Sequence, residues 1–191
     1  MTRLDQVLAA IDDANAADPS LEPGPDGREQ PAALLYGHRM TEELGQLYPD
    51  ASETLRIAAR GQHIERWKTP RTSYPEGRAG YLAWRRDQAG GHAKRVGELM
   101  RTAGYGDDEI ATVGSLLRKE GLKSNEDTQR LEDVICFVFM RHYLDGFSAK
   151  HDRADVVRIV SKTARKMSAE ARTRAASEFD LPADLAPAFA A

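Results

Sequence analysis

Apolar residues recur three and four positions apart along almost the whole 191-residue chain, and no stretch alternates apolar with polar. The first spacing paints one face of a helix; the alternation that would paint a strand does not occur. Leu4, Leu8 and Ile11 form such a stripe, as do Leu34, Leu35, His38, Leu44 and Leu47, then Leu55, Ala59, His63 and Arg66. Further stripes run through Val96, Leu99, Met100 and Ala103, through Ile110, Val113 and Leu117, and through Val156, Val157, Val160 and Ala164. The seven-residue run Val134–Met140 is apolar on every side, which predicts a helix at the centre of a bundle. The expected fold is therefore all-α, a single compact helical bundle.

Punctuation divides the pattern. Residues 19–31 hold four prolines and two glycines and predict a surface loop. Ser52 is the expected N-cap of the helix carrying Leu55, and Asp152 of the helix carrying Val156. One helix is expected to begin near Gly80 or Tyr81 and another at Gly91-His92, with Gly104 as a stop. One domain is expected over 1–170, followed by an Ala- and Pro-rich tail, 171–191, with a short helix after Pro182. No apolar run approaches the 18 or so residues of a membrane span, and the first thirty residues lack the basic start and apolar block of a signal peptide. With Cys136 as the lone cysteine, neither an intrachain disulfide nor a CxxC metal site can form, and a reducing cytoplasm is the expected compartment.

Charge narrows the partners. Twenty-seven Lys and Arg against 30 Asp and Glu leave −3, which argues against a globally basic nucleic-acid binder. The distribution is uneven: residues 1–30 carry seven acids and two bases, whereas residues 56–101 carry eleven bases and four acids. Within the basic segment, Arg66, Arg71, Arg78, Arg85 and Arg86 surround Trp67, Tyr74, Tyr81 and Trp84, with prolines and glycines between. Guanidinium forks suit phosphate or carboxylate oxygens, and aromatic faces can stack a ring. Arg66, Arg71, Arg78, Tyr81, Trp84 and Arg85 are thus the candidate binding residues for a phosphorylated or carboxylated small molecule such as a nucleotide. The alternative is core packing by the aromatics and helix capping by the arginines.

Two histidines sit on inward stripes, His63 one turn after Ala59 and His92 four residues before Val96. With Asp133, or its neighbour Glu132, at the start of the most apolar helix, they form a candidate ligand set for one divalent metal, zinc, manganese or iron. Adjacent residues point about 100° apart on a helix, so only one of the two acids would face a site. The alternative is that each histidine hydrogen-bonds a carbonyl inside the core.

The order of these residues, His38 in LLYGHRM, His63 in AARGQHIERW, His92 in GGHAKRVGELM and Asp133 in LEDVICFVF, resembles the H…HD…H…D pattern of the HD-domain metal-dependent phosphohydrolases. The segment HAKRVGELMRTAGYGDDEI is similar to that superfamily's second-histidine helix, turn and following helix. The chain departs from the pattern at Ile64, where that family has the aspartate bridging two metals. The resemblance then implies one metal or none. His151-Asp152 is the literal dipeptide, but Asp152 reads as a helix cap. A longer likeness lies in RGQHIERWKTPRTSYPEGRAGYLAWRR, taken with LLRKEGL, LEDVICFVF and KHD…KTARKMS. Together these are similar to the uncharacterised family DUF4202, over roughly residues 8–170. That likeness implies an HD-like helical fold and brings no established activity.

On these grounds the expected function is metal-dependent hydrolysis of a phosphorylated or other anionic small molecule. His63, His92 and Asp133 would hold the metal, Glu120 would act as ligand or general base, and Lys119 would neutralise the anion. The competing expectations are a non-catalytic nucleotide- or RNA-binding protein and a metal-dependent oxygenase on the same scaffold. No membrane partner is expected.

Overall fold

The computed structural model describes residues 1–190 and consists of helices, with a single two-stranded hairpin among those residues. The chain divides into two compact units, Met1–Glu120 and Gly121–Ala191. The first contains α1 (Arg3–Asn15), the strands β1 (Leu21–Pro23) and β2 (Glu29–Pro31), α2 (Ala32–Leu47), α3 (Glu53–Arg60), α4 (Gly77–Thr102) and α5 (Asp107–Arg118). The second contains α6 (Glu126–Val138), a π-helical turn at Phe139–Tyr143, α7 (Leu144–Ser148), α8 (Arg153–Ala164) and α9 (Ala169–Glu178). Among the described residues no helix is long and apolar enough to cross a membrane.

Local chemistry explains most boundaries. Thr2 and Asp5 close a reciprocal capping box at the start of α1. Ser52 caps α3, Asn125 caps α6 and Asp152 caps α8, each accepting from the backbone N–H three residues on. The expected surface loop 19–31 contains a hairpin, β1 pairing antiparallel with β2. The side chain of Asp18 supports it by accepting from the N–H groups of Ser20 and Ala33.

Three expectations from the helical pattern are corrected. The stripe through Leu55 and Ala59 does not continue as helix to Arg66: α3 ends at Arg60, and His63 lies in the turns beyond it. Gly61 caps the end of α3, and its missing Cβ, which would stand 2.6 Å from Val96 Cγ2, lets the chain pass close to α4 there. Second, Gly91 does not open a new helix, because α4 runs unbroken for 26 residues through Gly90-Gly91. Packing against α5 outweighs the local cost of the glycines. Third, the buried face of α2 is rotated from the expected one. Leu35, Tyr36, Met40 and Leu44 are buried, while Leu34 and Leu47 are half-buried and His38 is exposed beside Asp12, 3.4 Å away.

The core of the first unit gathers Val7, Ile11, Met40, Leu55, Ile57, Val96, Met100 and Leu117, all buried. In the second unit α6 is buried nearly all round, through Leu131, Val134, Phe137 and Val138. Within the expected tail, Ala171, Ala175, Leu185 and Phe189 are buried.

Between α3 and α4 the chain makes two short 3₁₀ turns, Arg66–Lys68 and Arg71–Ser73, rather than a continuous helix. Gly80 lets this segment lie against the first turn of α4, since a Cβ there would fall 1.9 Å from the Pro75 carbonyl oxygen. Gly80→Ala should push the 66–76 segment off α4 and cost about 1–3 kcal/mol, read as a lowered Tm. Val134→Asp would bury an unpaired carboxylate in α6 and should abolish soluble expression or lower Tm far more. An unchanged Tm in either variant would contradict the packing described.

Candidate functional site

The segment between α3 and α4 carries His63 and Arg66, and two buried carboxamides hold it. Asn15, at the end of α1, accepts the Glu65 N–H at 3.0 Å through Oδ1 and donates through Nδ2 to the Ala33 carbonyl at 3.4 Å. That grip coincides with a left-handed backbone at Glu65, φ 50°, which a non-glycine residue adopts only when its surroundings impose it. From the other side, Gln88 of α4 donates through Nε2 to the carbonyls of Arg66, 2.9 Å, and Thr69, 2.8 Å. The Trp84 indole N–H donates to the same Thr69 carbonyl at 2.8 Å.

Held this way, His63 stacks on Tyr36 of α2, with centroids 3.8 Å apart and planes 14° from parallel. The His92 ring of α4 lies 6.3 Å from that of His63, centroid to centroid. His92 is 3% exposed, and its Nε2 is buried with no hydrogen-bond partner. Burial, and after it the Arg66 guanidinium, push the His92 pKa down to about 4, against the pull of a hydrogen bond to the Ile64 backbone. Burial likewise pushes His63 well below the ordinary imidazole range, helped by Arg66, His92, Lys119 and Arg85. Both rings are therefore neutral at pH 7, and a neutral imidazole presents one bare lone pair. At His92 the buried ring nitrogen without a partner is Nε2.

Of the candidate cations, Arg66, Lys119 and Arg85 act on the His63 ring, and all differ in how firmly they are held. The Arg66 guanidinium is half-buried, lies 4.4 Å from the centroid of the Trp84 ring, and has its pKa lowered by that burial. Arg85 is exposed, 5.8 Å from the Tyr81 ring, and Tyr81 itself is 43% exposed. Arg78 is exposed in the first turn of α4. Arg71 has its guanidinium turned on its own segment, donating to the carbonyls of Tyr74 at 2.9 Å, Pro75 at 2.8 Å and Gly77 at 3.3 Å. Lys119 ends α5 with a left-handed backbone, φ 59°, and is half-buried. Glu120 is exposed and ion-paired with Arg118 at 2.6 Å, which holds its carboxyl below the usual range.

Asp133 and Glu132 belong to the second unit. Asp133 is fully buried and accepts the Ser168 N–H at 2.8 Å and the Gln129 amide at 3.0 Å; Glu132 pairs with Lys166 at 3.2 Å. Among the described residues no three His, Cys, Asp or Glu side chains are grouped as a metal ion would require. The position after His63 is filled by Ile64, 2% exposed in the core. His63 and His92 thus supply two neutral nitrogen donors without a bridging carboxylate, which does not fit a binuclear centre. His151 stacks on Phe147 and hydrogen-bonds its carbonyl, a local arrangement beside the Asp152 cap.

Tyr36, Asn15 and Gln88 escape the sequence reading. Tyr36 lies four residues before the buried Met40, so the helical period carried a signal for it. Nothing in the sequence distinguishes Asn15 or Gln88 from surface amides.

A family model described as a domain of unknown function, DUF4202, matches residues 5–188. No curated protein and no solved structure matches the chain.

Two histidines with depressed pKa values make stability depend on pH. An unfolded imidazole near 6.5 binds its proton before the folded one does, so stability is full above that value and is lost as pH falls toward 4. His92 alone should account for about 3 kcal/mol over that window. Chemical denaturation at pH 7, 6, 5 and 4.5 should show the loss, and His92→Gln should show a shallower pH slope whatever its stability at pH 7. Equal slopes would mean that His92 is solvated.

Proposed function

Because the chain belongs to the uncharacterised family DUF4202, its chemistry has to be read from the site, and we propose that the first unit binds an anionic small molecule bearing a planar ring, a nucleotide or similar phosphorylated compound. The observation that carries the reading is the unpartnered Nε2 of the buried His92 beside half-buried His63 and Arg66. A buried acceptor without a partner costs about 1–3 kcal/mol, which a ligand N–H or O–H would recover on binding. Arg66, Arg85 and Arg78 supply the positive charge, with Arg85 and Arg78 exposed to meet phosphate oxygens. The exposed ring of Tyr81, its centroid 6.1 Å from that of Trp84 and its plane tilted 41° from it, offers a stacking surface for the ligand's ring. Arg71 contributes by shaping the segment through its three carbonyl contacts.

Metal-dependent hydrolysis of the same ligand stands beside simple binding on one observation, the two neutral imidazoles in adjacent positions. A divalent cation held by nitrogens of His63 and His92 would supply polarisation of a phosphoryl oxygen. The residues of this chain would do the remainder: Arg85 and Arg78 would orient the anion, Lys119 would offset its charge, and the Tyr36 face would keep the His63 ring in place.

Calorimetry with a panel of nucleoside monophosphates and sugar phosphates should find at least one ligand. Arg85→Gln should weaken it by about 1.5–3 kcal/mol, roughly ten- to a hundredfold, with Tm unchanged. Arg78→Ala should act in the same direction. Affinity unaltered in both variants would sink the anion clamp. Elemental analysis after metal-replete expression separates the two readings: about one equivalent of transition metal, lost in a His63→Ala, His92→Ala double variant, would support hydrolysis, and none would leave binding alone.

A further inference from the structure

The second unit contains a pocket of about 380 Å³ that plays no part in the reading above. Its wall begins at the π-helical turn Phe139–Tyr143, which contributes Met140 and Arg141, continues through Leu144 and Asp145 of α7, and is completed by Phe179 to Leu185 after α9. A π turn widens a helix at some cost in regular hydrogen bonding, and such turns concentrate where a side chain has to be re-aimed into a site. The pocket falls in the size range of small-ligand sites.

Its chemistry is apolar below and acidic at the exposed edge. Met140, Leu144 and Leu185 line it and are buried in the unit's core, and the ring of Phe179 adds an aromatic face. Two arginines also line it, and both are already matched. Arg153 grips both carboxylate oxygens of Asp184, with Nε at 2.6 Å from Oδ2. Arg141 is ion-paired with Glu178, a carboxylate it shares with Arg174 at 3.1 Å, and lies 5.1 Å from the Phe179 ring centroid. Asp145 and Asp180 line the same pocket, are exposed, and form no ion pair among the described residues. The charged groups at the pocket that have no ion pair are therefore its two carboxylates.

We propose that this pocket binds a small organic cation, an amine carried on a short aliphatic or aromatic body. The body would occupy the Met140, Leu144, Phe179 and Leu185 surface, and the ammonium would make charge-assisted hydrogen bonds to Asp145 and Asp180. The matched arginines leave the polarity of the site acidic and disfavour an anion, which would have to open an existing ion pair first.

The test uses hexylamine and phenethylamine as probes, with hexanoate as the control of equal length and opposite charge. In amide NMR spectra of the full chain, both amines should shift resonances of residues 140–148 and 179–185 saturably, and hexanoate should not. Asp145→Asn and Asp180→Asn should each weaken amine binding about tenfold; both side chains are exposed and unpaired, so the spectra should otherwise match wild type. A short lysine-containing peptide forms a separate arm: shifts as strong as those of the amines would identify the cation as a protein side chain, and weaker shifts would identify it as a free amine. Hexanoate binding as well as hexylamine, asparagine variants retaining full affinity, or no saturable shift in these segments would each overturn the assignment.

Discussion

A stretch of chain that leaves regular helix must still find partners for its buried N–H and C=O groups, and residues 61–76 meet that demand with two carboxamides and an indole. Asn15 takes the N–H of Glu65, while Gln88 and Trp84 give to the carbonyls of Arg66 and Thr69. These bonds come from opposite sides, α1 and α4, so the segment is clamped rather than draped. The position of the His63 ring against Tyr36, and of the Arg66 guanidinium against Trp84, follows from the clamp. Without it the left-handed Glu65 would relax, and the two imidazoles would lose their mutual placement.

The same clamp explains the electrostatics. Two guanidiniums and a lysine surround a pair of imidazoles that burial has already made hard to charge. The bases are kept neutral by desolvation first and by the cations second. A neutral ring beside fixed positive charge accepts a hydrogen bond or a cation at one nitrogen while the surroundings still attract an anion. The Nε2 of His92 is the buried atom at which these opposing demands meet.

The all-α class was legible because the period of apolar residues reflects which face of each helix is buried, and the caps Ser52 and Asp152 were legible because capping is local chemistry. The end of α3 and the continuity of α4 were not. Gly61 and Gly90-Gly91 look alike to a local rule, yet the first is a point of close approach to Val96 and the second meets nothing within 4 Å. Only the tertiary neighbour decides between them. The inward placement of His92 could be read from its distance to Val96, and the aromatic–arginine segment could be recognised by composition. The roles within it could not, since Arg66 and Arg71 have the same side chain and differ in whether three local carbonyls lie within reach. The engagement of Asp133 with Ser168 was equally beyond sequence, because it depends on a loop 35 residues away.

The unbroken passage of α4 through Gly90-Gly91 gives that helix two mechanical halves. Beyond the glycines Val96, Gly97 and Met100 are locked in the core, and Gly97 brings Ile110 of α5 close. Ahead of them, Trp84 and Gln88 are tied to the clamped segment instead, and Tyr81 and Arg85 are exposed. Each glycine costs about 1 kcal/mol of helix propensity relative to alanine, so the hydrogen-bond ladder is weakest at that junction. Local opening is therefore easiest in the first four turns, where it frees the side chains of Trp84 and Gln88 while the α4–α5 seam stays shut. One helix thus combines a half that can loosen with a half that keeps the chain folded.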